Sequence, residues 1–393
     1  MKLPLIHFDC RHFEGDKPCF PNKQFNVFCD NCQYYEKDFN ITGEFPEIKN
    51  ISSASETDSE LKTIVIIKLD AVGDVLRTTS ILPSLKKKYP NSFITWVTRL
   101  KSRPVLNEND LIGQFFFVEE SADKLYQKEF SIAINLDNGR DSCRIMNKIK
   151  SKEKYGYYMV NDKPYPLNES ANQWYLMGVN DSFKRANKKT YHKIIHEICN
   201  LKYEYTKPVL KITNARRKII DVMRNKLLPI NFKEFILVNL GGGNRWQNKK
   251  WTKEGYSGLV NELSDSNPNK CIGVIAGVDD REFYRDVLKL INKKENIALF
   301  GCDNSMDEFI VVIYLADKIV TSDSLGLHIA TALNKRTVVL VGPTSYTELD
   351  VFGNGKIIHS QEMECLCFYL NKCNQTINCM NTIPVKNVID ALN

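Results

Sequence analysis

The sequence contains three segments in which acidic, basic, hydroxyl or glycine residues follow a run of apolar residues. The first reads Lys68-Leu69-Asp70-Ala71-Val72-Gly73-Asp74-Val75-Leu76. Asp74 falls where the pattern predicts that a loop enters a helix, and a carboxylate there can act as a general base on a hydroxyl group. The same carboxylate can cap the helix, which needs no ligand. The segment has one glycine and matches neither a dinucleotide fingerprint nor a P-loop, so both interpretations of Asp74 stay open.

The second segment has consecutive glycines followed by lysines. It reads Leu240-Gly241-Gly242-Gly243-Asn244-Arg245, and Lys249-Lys250-Trp251 comes shortly after. Glycines after a strand let the backbone approach a phosphate closely, and nearby ammonium groups can neutralise a diphosphate. The alternative is a surface loop with solvated lysines.

The third segment combines small hydroxyl residues with an acidic residue and a histidine. It reads Thr321-Ser322-Asp323-Ser324-Leu325-Gly326-Leu327-His328-Ile329-Ala330. A strand end that feeds a helix presents free backbone N–H groups, which together with the hydroxyls can bind an anion. The alternative is an ordinary Ser or Asp helix cap.

Four cysteines lie in an N-terminal segment that is too short to fold by apolar burial alone. They are Cys10, Cys19, Cys29 and Cys32, and the last two have the spacing of a chelating pair. We predict a structural zinc site here, with iron as the alternative metal. Reduced thiols, or a disulfide formed on oxidation, remain the interpretation without a metal.

A second group of cysteines lies close to the C-terminus. Its members are Cys365, Cys367, Cys373 and Cys379. They are candidates for a second structural metal site, or for one site shared with the N-terminal cysteines. The sequence leaves open whether any metal binds there.

Apolar runs alternate with helical segments from residue 63 onward, which predicts parallel sheets built from βαβ units. Residues 168–200 are predicted to be helical. We expect an α/β protein with two Rossmann-like domains facing across a cleft. The predicted divisions are a cysteine-rich module (1–50), a linker (51–61), a first Rossmann-like domain (62–212) and a second Rossmann-like domain with a cysteine-rich tail (213–393).

Composition limits the classes of function. The chain is 43% hydrophobic and 26% charged, as in folded globular proteins. No run approaches the roughly 20 apolar residues of a spanning helix, and the N-terminus lacks the apolar region of a signal peptide, so we expect a cytoplasmic protein. Residues 1–60 carry 6 Lys/Arg and 11 Asp/Glu, although the chain as a whole has a formal net charge of +7. The basic remainder favours an anionic partner.

Taken together, the three segments resemble those of glycosyltransferase family nine, the heptosyltransferases, over about residues 62–392. The family's strand, Gly-Asp loop and helix with a Pro-containing turn correspond to residues 64–74 and Pro83. Its Lys shortly before a Trp corresponds to Lys249 and Trp251. Its Asp-Ser/Thr-Gly-x-x-His segment corresponds to residues 323–328, where Leu325 stands at the usual glycine and Gly326 follows it. Residues 341–344 and the C-terminal cysteines also resemble family segments.

The resemblance implies a GT-B fold and an inverting transfer of a sugar, expected to be a heptose, from a nucleotide diphosphate sugar, expected to be ADP-linked. Asp74 would be the general base, and Lys249 with the amides near Ser324 and Gly326 would stabilise the departing diphosphate. Asp323 would hold the donor sugar or order its loop. The remaining residues expected at the donor site are Gly73, Gly241, Gly242, Gly243, Ser322 and His328. Because a lysine and a helix dipole can replace a divalent cation, no catalytic metal is expected.

The resemblance also implies an acceptor in a lipopolysaccharide core or another surface glycan, that is, an anionic glycan or glycolipid. Basic faces of the protein would allow peripheral contact with the inner face of a membrane, and no nucleic acid is expected. Two alternatives stay open. One is a heptosyltransferase with a protein acceptor of the autotransporter type, and the other is a non-catalytic protein that binds nucleic acid or a partner through a transferase fold.

Overall fold

A computed structural model describes residues 5–15, 18–25, 27–50, 57–120, 122–227, 232–243, 247–266, 269–363, 365, 368–369, 373 and 375–393. The chain divides into two compact units. The N-terminal unit comprises Met1–Arg103 and Asn109–Thr206, and the C-terminal unit comprises Pro104–Glu108 and Lys207–Asn393. The predicted division after residue 212 lies close to the end of the N-terminal unit. Within the described residues, no helix is both long enough and apolar enough to cross a bilayer.

Short β-branched and aromatic runs form the strands of the N-terminal unit, as the pattern of apolar runs predicts. The strands are β1 (Lys62–Ile67), β2 (Ser92–Thr98), β3 (Gln114–Phe117), β4 (Glu129–Asn135), β5 (Lys150–Val160) and β6 (Lys163–Pro166). Helices up to residue 206 are α1 (Phe20–Phe25), α2 (Val72–Thr78), α3 (Ile81–Lys88), α4 (Arg103–Leu106), α5 (Ala122–Tyr126), α6 (Arg140–Lys148), α7 (Glu169–Val179), α8 (Asp181–Ala186) and α9 (Tyr191–Ile198).

The sheet of the N-terminal unit has the strand order β3-β2-β1-β4-β5-β6. All neighbours pair in parallel except β5 and β6, which are antiparallel. The apolar residues of β1 from Ile64 to Ile67 are fully buried, as expected for a central strand covered on both faces. The strand order reverses at β1 and β4, so a ligand crevice is expected beyond their carboxyl ends.

The helical prediction for residues 168–200 is only partly right, because the segment contains three separate helices. Each begins at its own side-chain cap. The caps are Asn168 for α7, Asn180 for α8 and Thr190 for α9, and each accepts a hydrogen bond from an N–H in the first turn.

The C-terminal unit repeats the same plan with purely parallel pairing. Its helices are α10 (Asn214–Leu227), α11 (Lys253–Ser266), α12 (Arg281–Leu290), α13 (Met306–Leu315), α14 (Leu325–Ala332) and α15 (Val385–Leu392). Its strands are β7 (Glu234–Asn239), β8 (Lys270–Ile275), β9 (Ile297–Gly301), β10 (Lys318–Ser322), β11 (Arg336–Val341) and β12 (Gly355–His359). The order β12-β11-β10-β7-β8-β9 reverses at β7 and β10. The prediction of two Rossmann-like units is confirmed.

The described residues between 5 and 49 pack on β6 and the start of α7 through aromatic contacts and backbone hydrogen bonds. The ring of Phe8 lies 4.6 Å from that of Tyr165, between centroids. The Tyr165 hydroxyl donates to the carbonyl of Pro46, and the N–H of Glu169 donates to the carbonyl of Lys49. The cysteine-rich segment therefore belongs to the same compact unit as the first sheet.

A buried ion pair joins the carboxyl ends of β1 and β4. The ammonium group of Lys68 contacts the carboxylate of Asp137 and donates a 3.0 Å hydrogen bond to the carbonyl of Leu136. The same carboxylate accepts the backbone N–H groups of Leu69 and Asp70. Burial lowers the pKa of Lys68, but the neighbouring carboxylates, Asp137 foremost, outweigh burial and hold that pKa well above its usual range. This pair fixes the loop that leads from β1 into α2.

We expect Lys68→Met to lower the free energy of unfolding by about 3–5 kcal/mol, because it leaves a buried carboxylate without its cation. The double variant Lys68→Met/Asp137→Asn should recover part of that loss. Urea unfolding followed by circular dichroism measures both changes.

The matched control is Lys62→Met. Lys62 pairs with Asp58 and Glu60 at the surface, and we expect its loss to lower the free energy of unfolding far less than Lys68→Met does, because exposed ion pairs contribute little to stability. Equal losses for Lys62→Met and Lys68→Met would contradict the role given to the buried pair.

Candidate functional site

Asp74 lies in the first turn of α2, directly after the loop that the Lys68–Asp137 pair holds. The guanidinium of Arg77 contacts its carboxylate at 2.8 Å, and the Asp74 side chain remains 29% exposed. Arg77 is itself held over the ring of Tyr191, with 3.6 Å between the guanidinium carbon and the ring centroid. The carboxylate is thus both oriented and accessible, as a base on an incoming hydroxyl must be. Gly73 lies beside it in the same turn.

A cavity of about 320 Å³ opens at the same edge of the sheet. Leu69 and Asp70 contribute from the loop after β1, and Asp137 from the loop after β4. The other charged side chains that line it are Glu14, Arg99, Arg140 and Asp141. Carboxylates and guanidinium groups therefore share one cavity, which suits a ligand with both hydroxyl and anionic groups.

Asn239 is the centre of a hydrogen-bond network at the corresponding edge of the C-terminal unit. Its buried amide donates to the hydroxyl of Thr321 at 2.9 Å and to that of Ser324 at 3.4 Å. Its carbonyl oxygen accepts the N–H of Gly241. The hydroxyl of Ser322 donates to the carbonyl of Gly241. These contacts tie the glycine loop after β7 to the start of α14, so two of the predicted segments come together.

Lys249 and Asp323 form an ion pair at this edge. The ammonium group lies 2.8 Å from a carboxylate oxygen of Asp323 and 3.2 Å from its backbone carbonyl. The hydroxyl of Thr344 donates to the same carboxylate at 2.9 Å. The indole of Trp251 is buried and donates to the carbonyl of Ile383, which anchors the segment that carries Lys249. The structure thus brings together Lys249 and Asp323, two residues that the resemblance assigns to the donor site, and their role there stays a prediction.

Glycine is required at position 326 because α14 packs closely against Asn239. A Cβ at Gly326 would lie 2.5 Å from the Asn239 amide nitrogen. Gly243 adopts a φ of +70°, a conformation that favours glycine, whereas a Cβ on Gly242 would meet the side chain of Lys250 at 2.9 Å. His328 is buried in α14. Residues 244–246, which include two residues of the second sequence segment, lie outside the described residues.

Cys10, Cys19, Cys29 and Cys32 are free thiols that influence one another electrostatically. Burial raises the pKa of Cys19 and of Cys29, and the neighbouring cysteines raise it further. Backbone N–H groups oppose these shifts, from Asn22 at Cys19 and from His7 at Cys29. Across the described residues, no group of three or more His, Cys, Asp or Glu side chains is arranged to hold a metal ion. A metal at the four thiols stays a prediction.

The C-terminal cysteines lie partly in the apolar core. Cys379 is buried in the main core of the C-terminal unit, and Cys365 packs against that core. Cys373 is half-buried, whereas Cys367 lies outside the described residues. A second metal site stays a prediction, and the burial of Cys379 favours an inert thiol at that position.

Sequence reasoning missed the residues that hold the two sites in place. Asn239 and Asp137 each follow or end an apolar strand, and each is buried. Asp280, which is buried and pairs with Lys250, was also missed. A polar residue at the carboxyl end of an apolar run is the signal that could have identified Asn239 and Asp137.

Comparison with known proteins shows which family the chain resembles. The family model for glycosyltransferase family 9 (heptosyltransferase) matches residues 119–376. Lipopolysaccharide heptosyltransferase 1 of Campylobacter coli is 22% identical over 340 residues, which cover 83% of this chain and 96% of that protein.

Solved structures confirm the GT-B prediction. The structure of E. coli ADP-heptose lps heptosyltransferase II has a TM-score of 0.62 at 18% identity, covering 84% of this chain and 97% of that one. The iron-containing dodecameric glycosyltransferase TibC from enterotoxigenic E. coli H10407 has a TM-score of 0.52 at 12% identity, covering 86% and 77%.

We expect the full chain, purified without chelators, to contain about one zinc or iron ion, because four cysteines in one short segment can supply the ligands of a tetrahedral site once their thiolates converge on the ion. The variant Cys29→Ser/Cys32→Ser should lose that metal, and elemental mass spectrometry measures the content. Cys302→Ser changes a buried thiol in the other unit and should keep it. Wild-type protein that is folded and free of both metals would contradict the expectation.

Proposed function

Because the chain belongs to glycosyltransferase family 9, the heptosyltransferases, we propose that it transfers a heptose from ADP-heptose to a lipopolysaccharide-core acceptor. Family membership makes the protein a glycosyltransferase, so the non-catalytic alternative falls away. The choice of donor and acceptor is supported by the similar E. coli structure, which is named as an ADP-heptose lps heptosyltransferase. The observation that carries the proposal is the Lys249–Asp323 pair beside the start of α14, at the carboxyl ends of β7 and β10.

The donor diphosphate is proposed to bind at this start of α14. The first turn of a helix presents N–H groups without intrahelical partners, and the helix dipole favours an anion there. Lys249 supplies a full positive charge next to that turn. Because its ammonium group already contacts Asp323, an arriving phosphate shares the cation while the Asp323 carboxylate turns to hydroxyl groups of the sugar. Gly241 and Gly242 let the nucleotide approach the backbone closely.

Asp74 is proposed to accept the proton of the acceptor hydroxyl. The oxygen forms a bond to the anomeric carbon as the bond from that carbon to the diphosphate breaks on the opposite face, so the configuration inverts. The proton passes to the Asp74 carboxylate, and ADP departs with the electron pair. Lys249 and the α14 amides stabilise the negative charge that develops on the diphosphate, which is the larger electrostatic demand. Arg77 keeps the carboxylate in one orientation.

The proposed reaction uses no catalytic metal, since Lys249 and the α14 amides meet the leaving diphosphate. The proposed setting is the cytoplasm, with peripheral contact at the inner face of the membrane through basic surfaces. A structural metal at the cysteines is a separate question.

We expect Asp74→Asn to lower kcat by about 10²–10⁴-fold, because the amide cannot take up the proton. Binding of ADP should be unchanged, since Asp74 acts on the acceptor. Transfer assays with ADP-heptose and calorimetric titration with ADP measure the two quantities. Asp123→Asn, an acidic residue in the first turn of α5, serves as the control and should keep full activity. An Asp74→Asn enzyme that retains most of its turnover would rule out the base assignment.

We expect Lys249→Met to weaken ADP binding by about 10–100-fold, the range for loss of a hydrogen bond to a charged group. Lys253→Met removes an exposed lysine at the start of α11 and should leave binding unchanged. The same titrations, repeated with EDTA, should give the same affinities for the wild type. Activity that vanishes with EDTA and returns with magnesium or manganese would instead indicate a catalytic metal.

A further inference from the structure

The cysteine-rich segment contributes a side chain to the cavity of the N-terminal unit. Glu14 lines that cavity, although its other lining residues lie in or beside the Rossmann-like sheet, from residue 69 onward. The segment is therefore more than an appendage to the fold, because it supplies part of the wall at the edge where Asp74 is held.

Two buried neighbours fix the position of Glu14, while Glu14 itself is exposed. Before it, the buried ring of Phe13 packs against Tyr175 at 5.9 Å between centroids, and the Phe13 carbonyl accepts a 3.1 Å hydrogen bond from Lys163. After it, Gly15 has a φ of +97°, and a Cβ there would lie 3.0 Å from Pro164. The backbone on both sides of Glu14 is thus anchored to the β5–β6 hairpin and α7, which places the Glu14 side chain at the cavity wall.

The cavity also contains cations that complement an acidic wall. Arg99 contacts Asp141 at 2.9 Å, and Arg140 contacts Asp162. Both guanidinium groups are more than one-third exposed, so an anionic group of a ligand can reach them. A carbohydrate with free hydroxyls and a phosphate or carboxylate matches this set, because carboxylates accept from hydroxyls while guanidinium groups bind the anion.

We propose that Glu14 is an acceptor-binding residue whose carboxylate accepts hydrogen bonds from hydroxyl groups of an anionic acceptor sugar. The inference rests on the proposed function for the identity of the reaction, and it extends the acceptor site into the cysteine-rich segment. Glu14 takes no part in the chemical step, which belongs to Asp74. Its loss therefore changes affinity for the acceptor without changing donor binding.

The test compares wild type with Glu14→Gln and Glu14→Ala in the full chain. The probe is a lipid-free lipopolysaccharide-core oligosaccharide, and calorimetric titration measures its binding while transfer assays give KM and kcat. We expect the acceptor Kd and KM to rise about 10-fold in both variants, with kcat and ADP affinity unchanged. Glu36→Gln is the matched control, since Glu36 lies in the same segment but pairs with Arg11 and does not line the cavity.

A second variant tests the positioning of the segment. Gly15→Ala strains the backbone next to Glu14 and should raise the acceptor KM in the same direction while ADP binding stays intact. Unchanged acceptor affinity in Glu14→Gln, or an equal loss in Glu36→Gln, would overturn the proposal, as would wild-type protein that does not bind the oligosaccharide. A protein that binds the oligosaccharide through Glu14 but does not use ADP-heptose would support this inference and refute the proposed function.

Discussion

The buried ion pair between Lys68 and Asp137 is the interaction on which the N-terminal site depends. Burying two charges costs several kcal/mol per ion, and their attraction repays that cost only when further hydrogen bonds complete the arrangement. Here the backbone N–H groups of Leu69 and Asp70 supply those bonds. The pair is therefore best understood as a positioning device: it locks the β1–α2 loop to the end of β4 and so determines where α2 begins. Asp74 lies two residues after the first residue of that helix, so the ion pair also determines where Asp74 lies.

The C-terminal unit connects its glycine loop to α14 through neutral groups. Asn239 makes that connection with amide and hydroxyl hydrogen bonds, and the buried carboxylate of Asp280 pairs with Lys250 beside the same loop. This network leaves the charge of Lys249 at the edge, where it pairs with Asp323, whose carboxylate also accepts a hydrogen bond from Thr344. This difference suits the two proposed tasks. An acceptor site needs a rigidly placed carboxylate, whereas a diphosphate site needs an accessible cation and free N–H groups.

The sequence predicts the strands and loops well because each is a local pattern. The run Ile64 to Ile67 and the glycines after β7 could be interpreted without knowing their neighbours in space. The partner of Lys68 could not be predicted from local sequence, since Asp137 is separated from it by 69 residues. The contact exists only because β4 lies beside β1. Gly326 illustrates the same limit. In the sequence its position looked like a displaced family glycine, and only the close approach of Asn239 explains why a side chain is excluded there.

The position of Glu14 could not be predicted from the sequence either, because the segment around it has little secondary structure and so shows no periodic pattern. What organises the segment is a turn in which the N–H of Phe13 donates to the carbonyl of Cys10, together with aromatic packing on Tyr165 and Tyr175. Cys10 and Glu14 thus lie four residues apart, on either side of one turn. Any metal that gathered the thiols would reduce the freedom of that loop before an acceptor arrived, and preorganisation of this kind increases affinity without adding a contact. With a metal bound, the cysteines would therefore support the proposed acceptor-binding role of Glu14.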